Sequence, residues 1–201
     1  MFDRSARLFI QPLVKHLARQ LGRLGVSANQ LTLSGFFVGL FAAFLIANES
    51  YLTGAIALFT SRLMDALDGA VARQTQATDA GGFLDITLDF VFYASIPLAF
   101  AFSDPARNAL PAAVLLAAFI GTGSSFLAFA ALAAKRGMHN LDYPNKSFYF
   151  LGGLTEASET LACFLAMCLW PEFFIELAYV FAALCAITTA TRIWWGWKAF
   201  Q

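Results

Sequence analysis

Six stretches of about 20 mainly apolar residues, each long enough to cross a bilayer as a helix, follow one another along this chain. They run from about Asn29 to Ala47, Tyr51 to Arg73, Asp79 to Phe102, Ala109 to Ala134, Phe148 to Trp170 and Phe173 to Trp197. Ahead of the first the pattern changes. Ile10, Val14, Leu17, Leu21 and Leu24 recur on one helical face, with Lys15, Arg19 and Arg23 roughly opposite. That alternation predicts an amphipathic helix lying in the headgroup plane, with Pro12 kinking it or opening its second half. Basic residues interrupt this segment throughout and no small-residue cleavage site follows an apolar run, so it does not read as a signal peptide. The pattern predicts an all-α integral membrane protein: an interfacial helix and linker over 1–27, then a six-span bundle over 28–201. No Pro/Gly/Ser-rich linker, low-complexity tract or internal repeat divides the chain, which is read as a single domain.

Composition agrees with a bilayer as solvent. The 201 residues are 59% hydrophobic and only 13% charged, with a mean hydropathy of +0.66, well above a soluble domain. A net charge of zero gives no reason to expect a nucleic-acid partner; the placement of the charges carries the information. With six spans both termini share a side, and the N-terminal helix, Arg73, Lys135, Arg136, Lys146 and Lys198 all fall on it. The opposite loops carry only Arg107. The positive-inside bias then makes both termini and the loops around 70–80 and 135–147 cytoplasmic, with Asn48 and Trp170 facing outward. Cys163, Cys168 and Cys185 match no metal spacing or disulfide framework and read as small apolar packing; His16 and His139 sit singly in polar segments.

Four aspartates break the apolar pattern. Asp65 and Asp68 lie on the second stretch, Asp85 and Asp89 on the third, although a charge inside a span costs at least ~2.5–3.5 kcal/mol on insertion scales. At 1.5 Å per residue, Asp68 and Asp65 lie about 8 and 12 Å inward from Arg73, and Asp85 and Asp89 about 6 and 12 Å inward from Gly81. The pairs match in depth across one cytoplasmic hairpin. Spacings of i, i+3 and i, i+4 keep each pair on one helix face, so the four carboxylates can converge. Four converging negative charges demand cations, and Arg62 and Arg73 alone do not neutralise them. Oxygen-only ligation favours a hard ion, Mg²⁺ or Mn²⁺, with Ca²⁺ not excluded by ligand type, and four carboxylates suffice for two ions. A cation-coupled transporter would also bury acids, but its site is expected near the midplane on broken helices rather than close to the cytoplasmic face.

The order Asp65, Asp68, Gly69, Ala72, Arg73, then seven residues, then Gly81, Asp85 and Asp89 resembles the signature of the CDP-alcohol phosphatidyltransferases at all eight positions. The resemblance extends to the interfacial helix followed by six spans. It implies a transferase of phospholipid biosynthesis that moves a phosphatidyl group from a CDP-linked lipid such as CDP-diacylglycerol to an alcohol, releasing CMP. It implies that Asp65, Asp68 and Asp85 ligate metal, with Asp89 completing the site and acting as general base on the acceptor hydroxyl. Gly69, Ala72, Arg73 and Gly81 would serve the donor: Gly69 by close nucleotide approach, Arg73 by a phosphate contact, Gly81 by close helix packing. Where the family often has a proline at the start of the first span, this chain has Ala28 before Asn29 and Thr32; the latter two are candidate donor contacts or a helix cap.

The segment Lys146 to Thr160 is similar to a bacterial inner-membrane branch of the family, which implies a multi-pass protein of that membrane. A homodimer is implied by the resemblance alone. Gly152, Glu156 and Glu159 would share a face of the fifth span, with Arg192 on the sixth as partner. Together with Lys135 and Lys146 these are the acceptor-site candidates. The two acids repel a phosphate and favour an uncharged polyol or an amino alcohol, whereas Lys135, Lys146 and Arg192 together would suit a phosphorylated acceptor such as glycerol 3-phosphate. A family member that has lost activity and serves as a membrane scaffold is a further alternative, against which the complete signature argues.

Overall fold

The computed structural model describes residues 3–75, 77–138 and 153–201, with side chains from residue 11 onward. Helices dominate and no strand occurs among the described residues. They are α1 (Asp3–Arg23), α2 (Ala28–Ala47), α3 (Tyr51–Ala72), α4 (Asp79–Ser103), α5 (Pro105–Lys135), α6 (Ala157–Leu169) and α7 (Phe174–Phe200), the last entered through a 3₁₀ turn at Pro171–Phe173.

Local chemistry sets the boundaries. α1 stops at a left-handed Gly25 (φ 76°). The Val26 and Gly25 amides donate back to the Leu21 and Gly22 carbonyls, so the ending is a Schellman turn that glycine adopts without strain. α2 starts in a capping box: the Gln30 amide donates to Ser27 Oγ (3.3 Å) while the Ser27 amide donates to Gln30 Oε1 (2.9 Å). Thr78 caps α4 by accepting from the Gly81 amide at 3.1 Å. Asp104 caps α5 by accepting from the Arg107 amide at 3.2 Å, with Pro105 in the first turn where its missing N–H costs nothing.

Among the described residues, four helices are long and apolar enough to cross a membrane: Ala28–Ala47, Asp79–Ser103, Pro105–Lys135 and the Pro171–Phe200 segment. The six expected from the sequence are not all matched. α3 has the length but carries Arg62, Asp65 and Asp68 in its second half, which lowers its apolar content. The stretch expected over Phe148 to Trp170 is described only from Gly153, and its helix α6 has 13 residues. Lys146, Gly152 and His139 lie outside the described residues.

α1 runs through Pro12 as one element. Val14 and Ala18 are buried, and Leu17 and Leu21 pack with them against Leu67, Ala70 and Val71 of α3. Lys15, Arg19 and Arg23 are exposed on the other side. Leu24, expected on the apolar face, lies beyond the end of the helix and is 78% exposed. The larger core joins α2 to α7 around Ile46, Leu58, Phe92, Ile96, Phe164 and Phe174. Tyr51, Phe100 and Phe174 stack in series, with centroids 5.7 and 4.5 Å apart and rings within 15° of parallel. Cys168 and Cys185 belong to this core and Cys163 packs against it, matching the packing role expected of them. Along α3, Leu58 belongs to the large core, and Asp65 and Asp68 are interleaved with Leu63, Met64, Leu67, Ala70 and Val71 of the small one.

Candidate metal centre

Three of the four aspartates meet. One carboxylate oxygen each from Asp65, Asp68 and Asp85 lies within 4.8 Å of the others. Two helices deliver them: α3 presents Asp65 and Asp68 three residues apart, and α4 presents Asp85 in its second turn. Asp68 is buried, and its Oδ2 has no hydrogen-bond partner. A buried carboxylate oxygen without a donor is strongly disfavoured unless a cation takes that place. With oxygen donors only, the group is suited to hold a hard divalent ion.

Asp89, expected in the same set, lines one cleft with Asp65 and Asp85 and carries a cation of its own. Its Oδ1 accepts from Arg62 Nη1 at 2.6 Å, and the same nitrogen is 3.6 Å from Asp65 Oδ1. From the sequence Arg62 counts only as a charge too few to neutralise the acids; in the fold it lines one cleft with Thr32, Gly35, Asp65, Asp85 and Asp89. The guanidinium lies 3.8 Å from the centroid of the Phe92 ring, a cation–π geometry. Its Nη2 is 3.3 Å from Ser61 Oγ, whose own hydroxyl donates to the Gly35 carbonyl at 2.7 Å. A Cβ added at Gly39 would fall 2.5 Å from the Phe92 ring, so the absence of a side chain there lets α2 press the ring into place. The small residues Gly35 and Gly39, one turn apart on α2, were the sequence signal for this close crossing.

The donor-side candidates gather at the mouth of the same hairpin. A Cβ at Gly81 would meet Asn29 Oδ1 at 2.9 Å, and one at Gly69 would meet the Arg73 guanidinium at 3.2 Å. Gly81 thus brings the start of α4 against the start of α2. Thr32 donates its hydroxyl to the Ala28 carbonyl at 3.0 Å and lines the acid cleft. Asn29 is exposed and does not cap α2, because Ser27 does. Ala72 closes α3 and Arg73, just past its end, is exposed.

The acceptor candidates are arranged differently from the expectation. Glu156 is not on a helix face; it is the residue before α6, and its Oε1 accepts from the Gly153 amide at 3.3 Å. The segment is pinned to α7 by Thr188, whose Oγ1 accepts from the Leu154 amide (3.2 Å) and lies 3.1 Å from Thr155 Oγ1. These side-chain bonds hold the backbone out of helical geometry. Glu159 accepts from Ser158 Oγ at 2.9 Å. Arg192 is buried, donates to the Thr122 carbonyl of α5 at 3.1 Å and feels the charge of Glu156. Lys135 is exposed at the end of α5. Among the described residues, none of these four lines the acid cleft.

The sequence profile of the CDP-alcohol phosphatidyltransferases matches residues 26–197. This chain belongs to that family. It is a membrane transferase of phospholipid biosynthesis, and the transporter expected as a rival is set aside by that membership. Among CDP-alcohol phosphatidyltransferase relatives and other similar proteins, inner membrane protein YnjF of Escherichia coli is 50% identical over all 201 residues and 98% of its own length. An archaetidylinositol phosphate synthase of Pyrococcus horikoshii is 39% identical over 92 residues, 43% of this chain and 49% of that one. The fold is that of Mycobacterium tuberculosis phosphatidylinositol phosphate synthase crystallised with CDP-DAG, with a TM-score of 0.74, 22% identity and 92% and 94% of the two chains covered. The same enzyme has been crystallised with manganese and citrate (TM-score 0.71, 21% identity, 92% and 88% covered).

Proposed function

We propose that this protein transfers a phosphatidyl group from CDP-diacylglycerol to an alcohol, releasing CMP, at the cleft between α2, α3 and α4. The observation that carries the reading is the convergence of Asp65, Asp68 and Asp85 within 4.8 Å beside a fourth acid. These three carboxylates hold the divalent ion, Mg²⁺ or Mn²⁺. Bound there, the ion supplies positive charge that offsets the donor diphosphate. Asp89 faces the same cleft and takes the acceptor's hydroxyl proton. The hydroxyl oxygen then forms a bond to the lipid-bearing phosphorus, the bond from that phosphorus to the CMP oxygen breaks, and the electron pair leaves with CMP. Arg73, Gly69, Ala72, Gly81, Asn29 and Thr32 border the donor. A second ion, expected from the four carboxylates, would draw on Asp89 as a further ligand. Mass spectrometry of lipids formed by the purified protein from CDP-diacylglycerol and a panel of alcohols tests the reaction. A metal-dependent new lipid is expected, and release of CMP without one, or no turnover with any acceptor, counts against it.

The membrane arrangement follows the sequence reading: one domain of six spans, with α3 and the segment ending in α6 as the remaining two and α1 at the cytoplasmic interface. The cleft then opens to the cytoplasm of a bacterial inner membrane, and the functional unit is a homodimer. A membrane-impermeant thiol reagent is expected to label a cysteine at Asn48 or Arg107, both exposed, in intact cells, in a background without the native cysteines. One placed at Gln74 should react only after permeabilisation. The reverse pattern overturns the topology.

Two acceptor classes remain in play. The acids Glu156 and Glu159 favour a non-phosphorylated alcohol, yet both already accept internal hydrogen bonds. Buried Arg192, and relatives named for inositol phosphate products, favour a phosphorylated polyol. Competition separates them. If inositol, glycerol and amino alcohols are used while their phosphates are not, Glu156→Gln should slow the reaction; efficient use of the phosphates alone removes the first reading, and Arg192→Met should then be the damaging change.

A further inference from the structure

One hydroxyl on α7 decides where α6 begins. Thr188 is fully buried. Its Oγ1 donates to the Leu184 carbonyl at 3.0 Å and accepts from both the Leu154 amide at 3.2 Å and the Thr155 hydroxyl at 3.1 Å. A hydroxyl offers one donor and two acceptor positions, so all of them are used. The methyl of Thr188 acts by shape: a Cβ at Gly153 would fall 2.4 Å from Thr188 Cγ2 and 3.2 Å from Arg192 Nη2. Only glycine lets the chain lie this close to α7. Gly153, Leu154 and Thr155 are thereby held out of the helix, and Glu156 becomes the residue that opens it, its carbonyl accepting from the Thr160 amide and hydroxyl at 3.0 and 2.9 Å.

That starting point has a depth. Phe164 of α6 packs against Tyr93 of α4, with centroids 6.2 Å apart, and both helices lead on from there to the Phe100–Phe174 stack. They therefore run the same way. Glu156 precedes Phe164 by eight residues, and Asp85 precedes Tyr93 by eight, so each acid lies about 12 Å back from the same aromatic contact. We infer that Thr188, seated on Gly153, is a latch that sets the register of α6 and so places Glu156 beside Arg192 at the level of Asp85, which makes Thr188 a positioning residue for acceptor binding. The inference rests on the proposed transfer to an alcohol, with Glu156 or Arg192 on the acceptor side.

The test combines steady-state kinetics of the purified full-length protein, with CDP-diacylglycerol and either glycerol or glycerol 3-phosphate, and amide hydrogen exchange at Leu154. Thr188→Val keeps the shape and removes the hydroxyl. It is expected to speed exchange at Leu154 and to raise the KM of the acceptor used about tenfold, the scale of one lost buried hydrogen bond, with the KM for CDP-diacylglycerol unchanged. Thr188→Ser keeps the oxygen and drops the methyl, so Leu154 should stay protected. Gly153→Ala is expected to raise the same acceptor KM, and adding Thr188→Ser should restore it, because the methyl that the new Cβ would strike is gone. That pair carries the test if Thr188→Val does not fold. The inference falls if Thr188→Val leaves both KM values unchanged or raises them alike, or if Gly153→Ala is harmless with Thr188 in place. A wild-type protein that uses neither acceptor counts instead against the reading of function, and exchange at Leu154 then decides the latch without turnover.

Discussion

Asp68→Asn is expected to lower metal-dependent turnover by on the order of a thousandfold, with Asp65→Asn and Asp85→Asn close behind, the scale of losing about 4 kcal/mol of charge stabilisation. Each change removes one negative charge from a group whose three oxygens lie within 4.8 Å. Asp68 should be the most sensitive, because it is buried and its Oδ2 lacks any protein donor. An amide there keeps the shape but offers a cation less charge and turns a donor into a buried space. Mn²⁺ affinity should fall in parallel with the rate, and the variants should stay folded in chelator, since without metal they carry less mutual repulsion than the wild type. Near-wild-type activity in two of the three would end the metal assignment.

Asp89→Asn is expected to cost 10²- to 10⁴-fold in kcat, the usual scale for a lost general base, with CDP-lipid binding retained. One observation separates it from the other three acids: its oxygen is held by Arg62 at 2.6 Å. Titrating CDP-lipid against the variant distinguishes a base from a ligand, because a base acts in proton transfer and a ligand acts already in donor binding. Equal losses in binding and rate would make Asp89 a plain ligand. The variant should also melt at lower temperature than the wild type, since the guanidinium left behind is largely buried and, among the acids, keeps only the 3.6 Å approach to Asp65; removing one partner of a buried pair costs about 3–5 kcal/mol.

Much of the site was legible because helical spacing and a membrane context leave few options. Acids three and four residues apart on consecutive apolar helices share a depth and a face whatever their neighbours do, and an acid in such a helix demands an explanation. That logic located Asp65, Asp68, Asp85 and Asp89, and the signature around them named the family that the profile over residues 26–197 bears out. Arg62 was visible as a charge but not as a member of the site. Its role depends on rotamer and partner: Phe92 beneath it, Ser61 beside it and Gly39 pressing from α2, none of which a one-dimensional pattern ranks. Glu156 was misplaced for a related reason. A run of apolar residues predicts helix through it, whereas its own carboxylate and Thr188 bond the backbone from Gly153 to Thr155 into a turn, an interaction spanning more than 30 residues.

By itself, then, the sequence determined what depends on composition and short-range period: an all-helical chain in an apolar solvent, the hairpin that carries the acids, their depth, and the oxygen-only chemistry suited to a hard cation. The tertiary structure alone decided which of the four carboxylates the Arg62 guanidinium grips most closely. Asp65 and Asp89 differ little in local sequence environment, and each lies on a helix at about the same depth. What separates them is which oxygen the Arg62 guanidinium reaches at 2.6 Å and which at 3.6 Å. That difference of an ångström arises from the crossing of α2 over α3 and α4, where small residues let the helices approach and an aromatic ring fixes the cation between them.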